Sequence, residues 1–285
     1  MILDDLLDEL VELNELLSVR DISFLLGGGM GLYVRDRFHI NPSRGTGSYP
    51  IAIDSRTTKD LDIFLSGEVI IDEKRMSGLR DVLIARGYAA RPGREYWQFE
   101  RSIGDPHRVL SLDLLAPPPR HEDKAKVKIT PPRIRPKAVK GIHGHLIAEA
   151  EGIEEESVPI TILSGRGAST RILIPSSFRY LILKLHVFAD RCRDIEKASH
   201  HALDIVRIVT DMTSDDWVSA RRQYERERMT PWVLKAREIR REHFSAPDDL
   251  GITTVTKSDP FTADRGRLMG YIPEILQDLR NLLPD

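Results

Sequence analysis

The chain has 285 residues, 41% of them hydrophobic and 30% charged, with a formal net charge of −2. That is room for one large domain or two modest ones, and it gives no global pull toward nucleic acid or a membrane, so any polyanion site has to be a local patch. No run of about eighteen apolar residues offers a membrane span, the acidic N-terminus lacks the basic-then-apolar order of a signal peptide, and one cysteine, Cys192, excludes an internal disulfide and a cysteine-rich metal site, so a reducing cytoplasm is the expected setting.

The opening "MILDDLLDELVELNELL" places Leu at helical intervals over residues 3–17. "DISFLLGGG" predicts a short buried strand, Ile22 to Leu26, breaking into a glycine turn, and "MGLYVRDRF" suits a following helix. "NPSRGTGSYP" has loop composition, "LDIFLS" predicts a strand, and "EKRMSGLRDVLIARGY" predicts a helix ending near Gly87. "EYWQFERS" and "RVLSLDLLAP" read as neighbouring strands. After the opening helix the first 116 residues therefore order as β-α-β-α-β-β, a sheet of mixed strand directions. Residues 117–140 hold eight Lys or Arg against two acids, with many prolines, and read as a basic loop or extension. "VPITIL" and "TRILIP" predict two more strands. From Pro175 the pattern is mostly helical, with "PSSFRYLILKLHVFADR" opening on a cap-like Pro-Ser-Ser. The expected organisation is an α/β domain over 1–174 and a mainly helical domain over 175–285.

Asp60 and Asp62 flank Leu61 in "KDLDIF". Residues two apart on a strand share a face, so the two carboxylates project together and each raises the other's pKa. A divalent cation relieves that repulsion, and magnesium often takes one or two carboxylates plus phosphate oxygens. Asp113 sits between Leu112 and Leu114 in "LSLDLLA", and an acid in an apolar strand is costly to bury unpaired. Beside the first two it completes a three-carboxylate cluster of the kind that supports two-metal phosphoryl or nucleotidyl transfer. Each motif alone is more often a solvated strand end or turn.

Gly27, Gly28 and Gly29 lie between the strand and the helix. Glycine lets the backbone approach a ligand and adopt positive φ, and amides at a helix start attract phosphate. The spacing fits neither the dinucleotide fingerprint nor the P-loop, and a tight turn without a ligand explains the glycines alone.

Strand, Gly-Gly, helix, loop, Asp-x-Asp on a strand and a third Asp on a later strand resembles the nucleotidyltransferase superfamily with the DNA polymerase β-like fold. "LLGGGMGLYVRDR" followed by "SRTTKDLDIFL" is similar, more narrowly, to the AbiEii/MenT group of nucleotidyltransferase toxins of toxin–antitoxin systems, with Arg56, Thr58, Asp60 and Asp62 in that group's Arg-x-Thr/Ser-x-Asp-x-Asp pattern. "LKLHVFADRCRDIEKASHHALD" supplies the group's later sequence of Lys184, Arg191, Lys197 and Asp204. The resemblance covers roughly residues 20–210. It departs from the group in the long loop before the acids, in Met30 after the glycines, and in "EKASHHALD", and the basic stretch has no counterpart.

The resemblance implies an α+β fold with a nucleotidyltransferase-like mixed β-sheet and flanking helices, followed by a helical C-terminal region. It implies an enzyme dependent on Mg2+ (or Mn2+) that moves a nucleoside monophosphate from a nucleoside triphosphate to an acceptor hydroxyl. Asp60, Asp62 and Asp113 would be the catalytic metal ligands, and Gly27, Gly28, Gly29, Arg56, Thr58, Lys184, Arg191 and Asp204 would hold the nucleotide. The acceptor is open among tRNA or another RNA, a protein and a small molecule. A toxin role would bring a cognate antitoxin protein, and no membrane partner is expected. Two other readings stand beside this one: a small-molecule nucleotidyltransferase of the antibiotic-modifying type, and a nucleotide-binding protein without turnover.

Overall fold

The structure, a computed structural model, describes residues 2–40, 49, 60–103, 105–255 and 265–285. It is a mixed α/β protein with a mixed sheet and helices. It divides into two units. The first holds the described residues through Phe38 and from Asp60 to Pro175. The second runs from Ser176 onward and takes in His39, Ile40 and Tyr49 as well. The break at Pro175 lies beside the division expected at 174/175. The first unit is not the continuous 1–174 expected, because Tyr49 joins the second, where its hydroxyl donates to Asp278 at 2.6 Å.

The first unit begins with α1 (Ile2–Ser18), β1 (Phe24–Leu26), α2 (Gly28–Arg35), β2 (Asp60–Leu65), α3 (Gly67–Ile71) and α4 (Glu73–Ala85). It continues with β3 (Ala89–Ala90), β4 (Gln98–Ile103), β5 (Asp105–Ala116), β6 (Val127–Thr130), β7 (Arg133–Pro136), β8 (Gly144–Leu146), β9 (Val158–Leu163) and β10 (Ser169–Ile174). The sheet runs β6-β7-β8-β5-β2-β1-β10-β9, with β4 on the edge of β5 that β8 also uses and β3 beyond it. β2 is parallel to β5, β5 to β8 and β1 to β10, and the other pairs are antiparallel.

Local chemistry explains the helix bounds. Ser66 caps α3 by accepting from the Val69 amide, and Asp72 caps α4 by accepting from the Arg75 amide. In α1, Leu6, Leu10, Leu13 and Leu17 are fully buried on one stripe. Its acids meet arginines from elsewhere in the unit: Glu9 pairs with Arg86 at 2.5 Å and Arg101 at 2.6 Å, and Glu12 with Arg166 at 3.0 Å. The acidity of the N-terminus thus joins α1 to the rest of the fold.

The basic stretch is a correction. Residues 117–140 were expected as a loop or extension, yet they form a 3-10 turn, His121–Lys126, and the hairpin β6–β7 that ends the sheet. Edge strands need only one buried face, here Val127, Ile134 and Pro136, so their charges hid the alternation.

The second unit is helical: α5 (Ser177–Arg191), α6 (Ile195–Thr210), α7 (Ser214–Glu227), α8 (Pro231–His243), α9 (Leu250–Val255), α10 (Arg265–Gly270) and α11 (Ile272–Leu282). Ser176 caps α5, and Thr213 with Asp216 forms a capping box on α7. Phe188 packs edge-on against Phe244 at 4.9 Å in its core. Among the described residues no helix is long and apolar enough to cross a membrane.

Candidate active site

The first-unit site is built from three strands and one turn. β2 alternates: Leu61 and Ile63 are fully buried on one face, while Asp60 and Asp62 lie on the other. β5 runs parallel beside it in a register that sets Asp62 opposite Asp113 and Asp60 opposite Ser111. β4, on the far edge of β5, sets Gln98 opposite Asp113 and Glu100 opposite Ser111. Two polar rows therefore cross three strands: Asp60, Ser111 and Glu100, then Asp62, Asp113 and Gln98.

The glycine turn lies directly on the second row. The Gly27 amide donates to the Asp62 carbonyl at 2.8 Å, extending the β1–β2 ladder by one bond. Gly28 then starts α2 at φ +58°. A Cβ at Gly28 would lie 2.6 Å from Asp62 Cγ and overlap Asp62 Oδ2. A Cβ at Gly27 would strike the Phe64 ring at 2.6 Å. Both glycines are thus required by close approach, and Gly28 also by its backbone. Gly29 is buried in the first turn of α2. The arrangement sets the Asp62 carboxylate at the N-terminal end of α2, where the helix dipole favours negative charge.

Asp113 is perturbed by its surroundings. Burial pushes its pKa above the usual carboxylate value, the Asp60 charge pushes the same way, and a hydrogen bond from Gln98 with the nearby Arg94 and Arg91 charges opposes. Gln98 Nε2 donates to Asp113 Oδ2 at 2.7 Å, and Arg94 donates to Gln98 Oε1 at 3.1 Å. This Arg94–Gln98–Asp113 relay was not singled out from the sequence. Its signal was a glutamine between Trp97 and Phe99 in an apolar strand.

The donor set is made of hard carboxylate oxygens, suited to magnesium. Among the described residues no group of three or more His, Cys, Asp or Glu is gathered to hold a metal ion. One or two carboxylates with phosphate oxygens and water suffice for this cation, and Asp62 and Asp113, in register beside the open glycine turn, fit that smaller role.

The other expected residues fall elsewhere. Arg56 and Thr58 lie outside the described residues. In the second unit Lys184 on α5 and Asp204 on α6 are 6% and 2% exposed and pair with each other at 2.6 Å. Arg191 is exposed in the last turn of α5, so it does not share the buried surroundings of Lys184. Lys197 pairs with Asp194 at 2.6 Å beside the start of α6.

Comparison with known proteins returned no matching family model, no matching curated protein and no matching solved structure.

Proposed function

We propose that the chain is a metal-dependent nucleotidyltransferase whose chemistry is carried by the first unit, with a nucleotidyltransferase-like mixed sheet. One observation carries this reading. The glycine turn that opens α2 lies on the Asp62 carboxylate, and Asp62 stands in register with Asp113. The turn brings a helix start against paired acids, the helix start favours negative charge, and paired acids give phosphates a reason to bind through a cation.

The chain's own groups divide the work. The start of α2, set against Asp62, would favour the negative charge of the triphosphate. Asp62 and Asp113, with the exposed Asp60 beside them, would hold magnesium. When bound, that ion supplies charge neutralisation for the phosphates. Asp113, with its pKa raised by burial, serves either as a ligand of that ion or as the base that accepts the proton of the attacking hydroxyl. Gln98 fixes which Asp113 oxygen is engaged, leaving the other available. The acceptor oxygen forms a bond to the α-phosphorus, the α–β phosphoanhydride bond breaks, and pyrophosphate leaves.

Lys184 and Asp204 neutralise each other, which supports a structural role for the pair in joining α5 to α6. Arg56 and Thr58 keep the phosphate-side role that the resemblance gives them.

The test is transfer of label from each α-labelled ribonucleoside triphosphate, with magnesium, to total tRNA in one set of reactions and to aminoglycosides in another. Label on RNA that disappears in Asp113→Asn identifies an RNA nucleotidyltransferase. Label on the small molecules selects the antibiotic-modifying type. Nucleotide binding that persists in Asp113→Asn with no label transferred by the wild type supports the reading without turnover.

A further inference from the structure

A concavity lies at the β6–β7 hairpin of the same sheet. A cavity of about 350 Å3 is lined by Tyr96, Lys128, Thr130, Arg133, Arg135 and Lys140, with His143 at its wall. The hairpin register builds it: Lys128 stands directly opposite Arg135, and Thr130 opposite Arg133. Like charges directly opposite across a strand pair are destabilising. Among the described residues none of the four cations is in an ion pair with a carboxylate, whereas Lys126, just before the hairpin, pairs with Asp123. Arg135 holds the following turn by donating to the carbonyls of Pro136, Lys137 and Val139. Arg133 sits over the Tyr96 ring at 5.2 Å, and Tyr96 stacks on His143 at 4.4 Å. These contacts order the cations without neutralising them.

His143 gives an independent sign of the same field. It is 8% exposed, and its Nδ1 has no hydrogen-bond partner. Burial first, and then the charges of Arg135 and Arg133, hold its pKa down at about 4. The wall of the cavity therefore carries a buried imidazole kept neutral beside concentrated positive charge. In a chain of net charge −2, four cations confined to one concavity, two of them forced opposite each other, point to an anion that offsets the cost.

We propose that this cavity is a phosphate-binding site, taking the phosphate group of a phosphate ester. Two sources share that chemistry, the backbone of a polynucleotide strand and a free nucleoside triphosphate. The cations fit the geometry of phosphate through point charges at Lys128 and Lys140 and the planar fork of Arg133. Nothing in the proposal depends on the carboxylate row or on nucleotidyl transfer.

The experiment measures fluorescence anisotropy of a labelled mixed-sequence oligoribonucleotide and of a fluorescent nucleoside triphosphate, in EDTA so that no divalent cation contributes. The full chain is compared with the Lys128→Glu/Lys140→Glu double variant, whose two sites are exposed, and with Lys128→Arg/Lys140→Arg. Circular dichroism checks the fold of each. Binding of either probe that falls at least about tenfold in the glutamate variant and survives in the arginine variant supports the site, and the probe that binds names the source. For the strand, the salt dependence should also flatten by about 1.4 in log–log slope for two lost phosphate contacts. No binding of either probe, or binding unchanged in the glutamate variant, overturns the proposal.

Discussion

Gly28 and Asp62 occupy one space: the position a side chain would take at residue 28 is filled by the Asp62 carboxylate. Gly28 also holds φ at +58°, where side chains other than glycine's are strained. Gly28→Ala should therefore destabilise the chain by at least about 1–2 kcal/mol from the backbone alone, and by more from the overlap. In an Asp62→Ala background the penalty should shrink, because the overlapping oxygen is gone. Urea unfolding of the four proteins in this cycle measures the coupling. Strictly additive effects would show that the two residues do not share the space.

Asp113 should cost stability while serving the site. Its pKa is raised in the fold, so the folded state binds its proton more tightly than the unfolded chain does. Stability from this group is then lost, not gained, as pH rises through the raised value. Asp113→Asn, which keeps an oxygen for Gln98, should raise stability at neutral pH by about 0.5–2 kcal/mol and abolish transfer. Thermal unfolding at pH 7 gives the first readout, and a destabilised variant would contradict it.

The buried Lys184–Asp204 pair separates structure from chemistry. Lys184→Met takes the ammonium away from the buried Asp204 carboxylate and should cost about 3–5 kcal/mol. Lys184→Met with Asp204→Leu should recover most of that. If the pair only joins α5 to α6, the double variant keeps its nucleotide affinity. If affinity falls in a double variant that is as stable as wild type, the phosphate role implied by the resemblance returns.

His143 makes stability depend on acid. Its folded pKa of about 4 lies below the ordinary 6.5, so the unfolded chain takes up the proton first as pH falls. Stability should drop between pH 6.5 and about 4, by up to roughly 3 kcal/mol at about 1.4 kcal/mol per pH unit. His143→Phe, which preserves a ring against Tyr96, should flatten that part of the curve. Equal slopes for wild type and variant would remove His143 as the cause.

The parts of the site that follow from local pattern were legible in the sequence. Alternation in "DLDIF" put both aspartates on one face, and three glycines after an apolar run marked the turn on β1. The register of Asp62 with Asp113 was not legible, because parallel pairing across fifty residues leaves no local signature. Gln98 was missed for the same reason: its partner is set by a second strand pairing. The β6–β7 hairpin was hidden by its composition. An edge pair with one buried face and cations on the other has the charge and proline content of a loop. Lys184 and Asp204 show the limit of residue type. Their residue types suited a triphosphate, and only the packing of α5 on α6 turned them toward each other.

Pyrophosphate release from ribonucleoside triphosphates with magnesium, wild type beside Asp62→Asn, tests the central claim most directly. Asparagine keeps the shape under the Gly28 turn and removes the charge. The account predicts steady release by the wild type in the presence of acceptor, with loss of nearly all of it in the variant while both proteins unfold at similar temperatures. Equal release by the two proteins, or none from a folded wild type offered each triphosphate with RNA, protein and small-molecule acceptors, would contradict it.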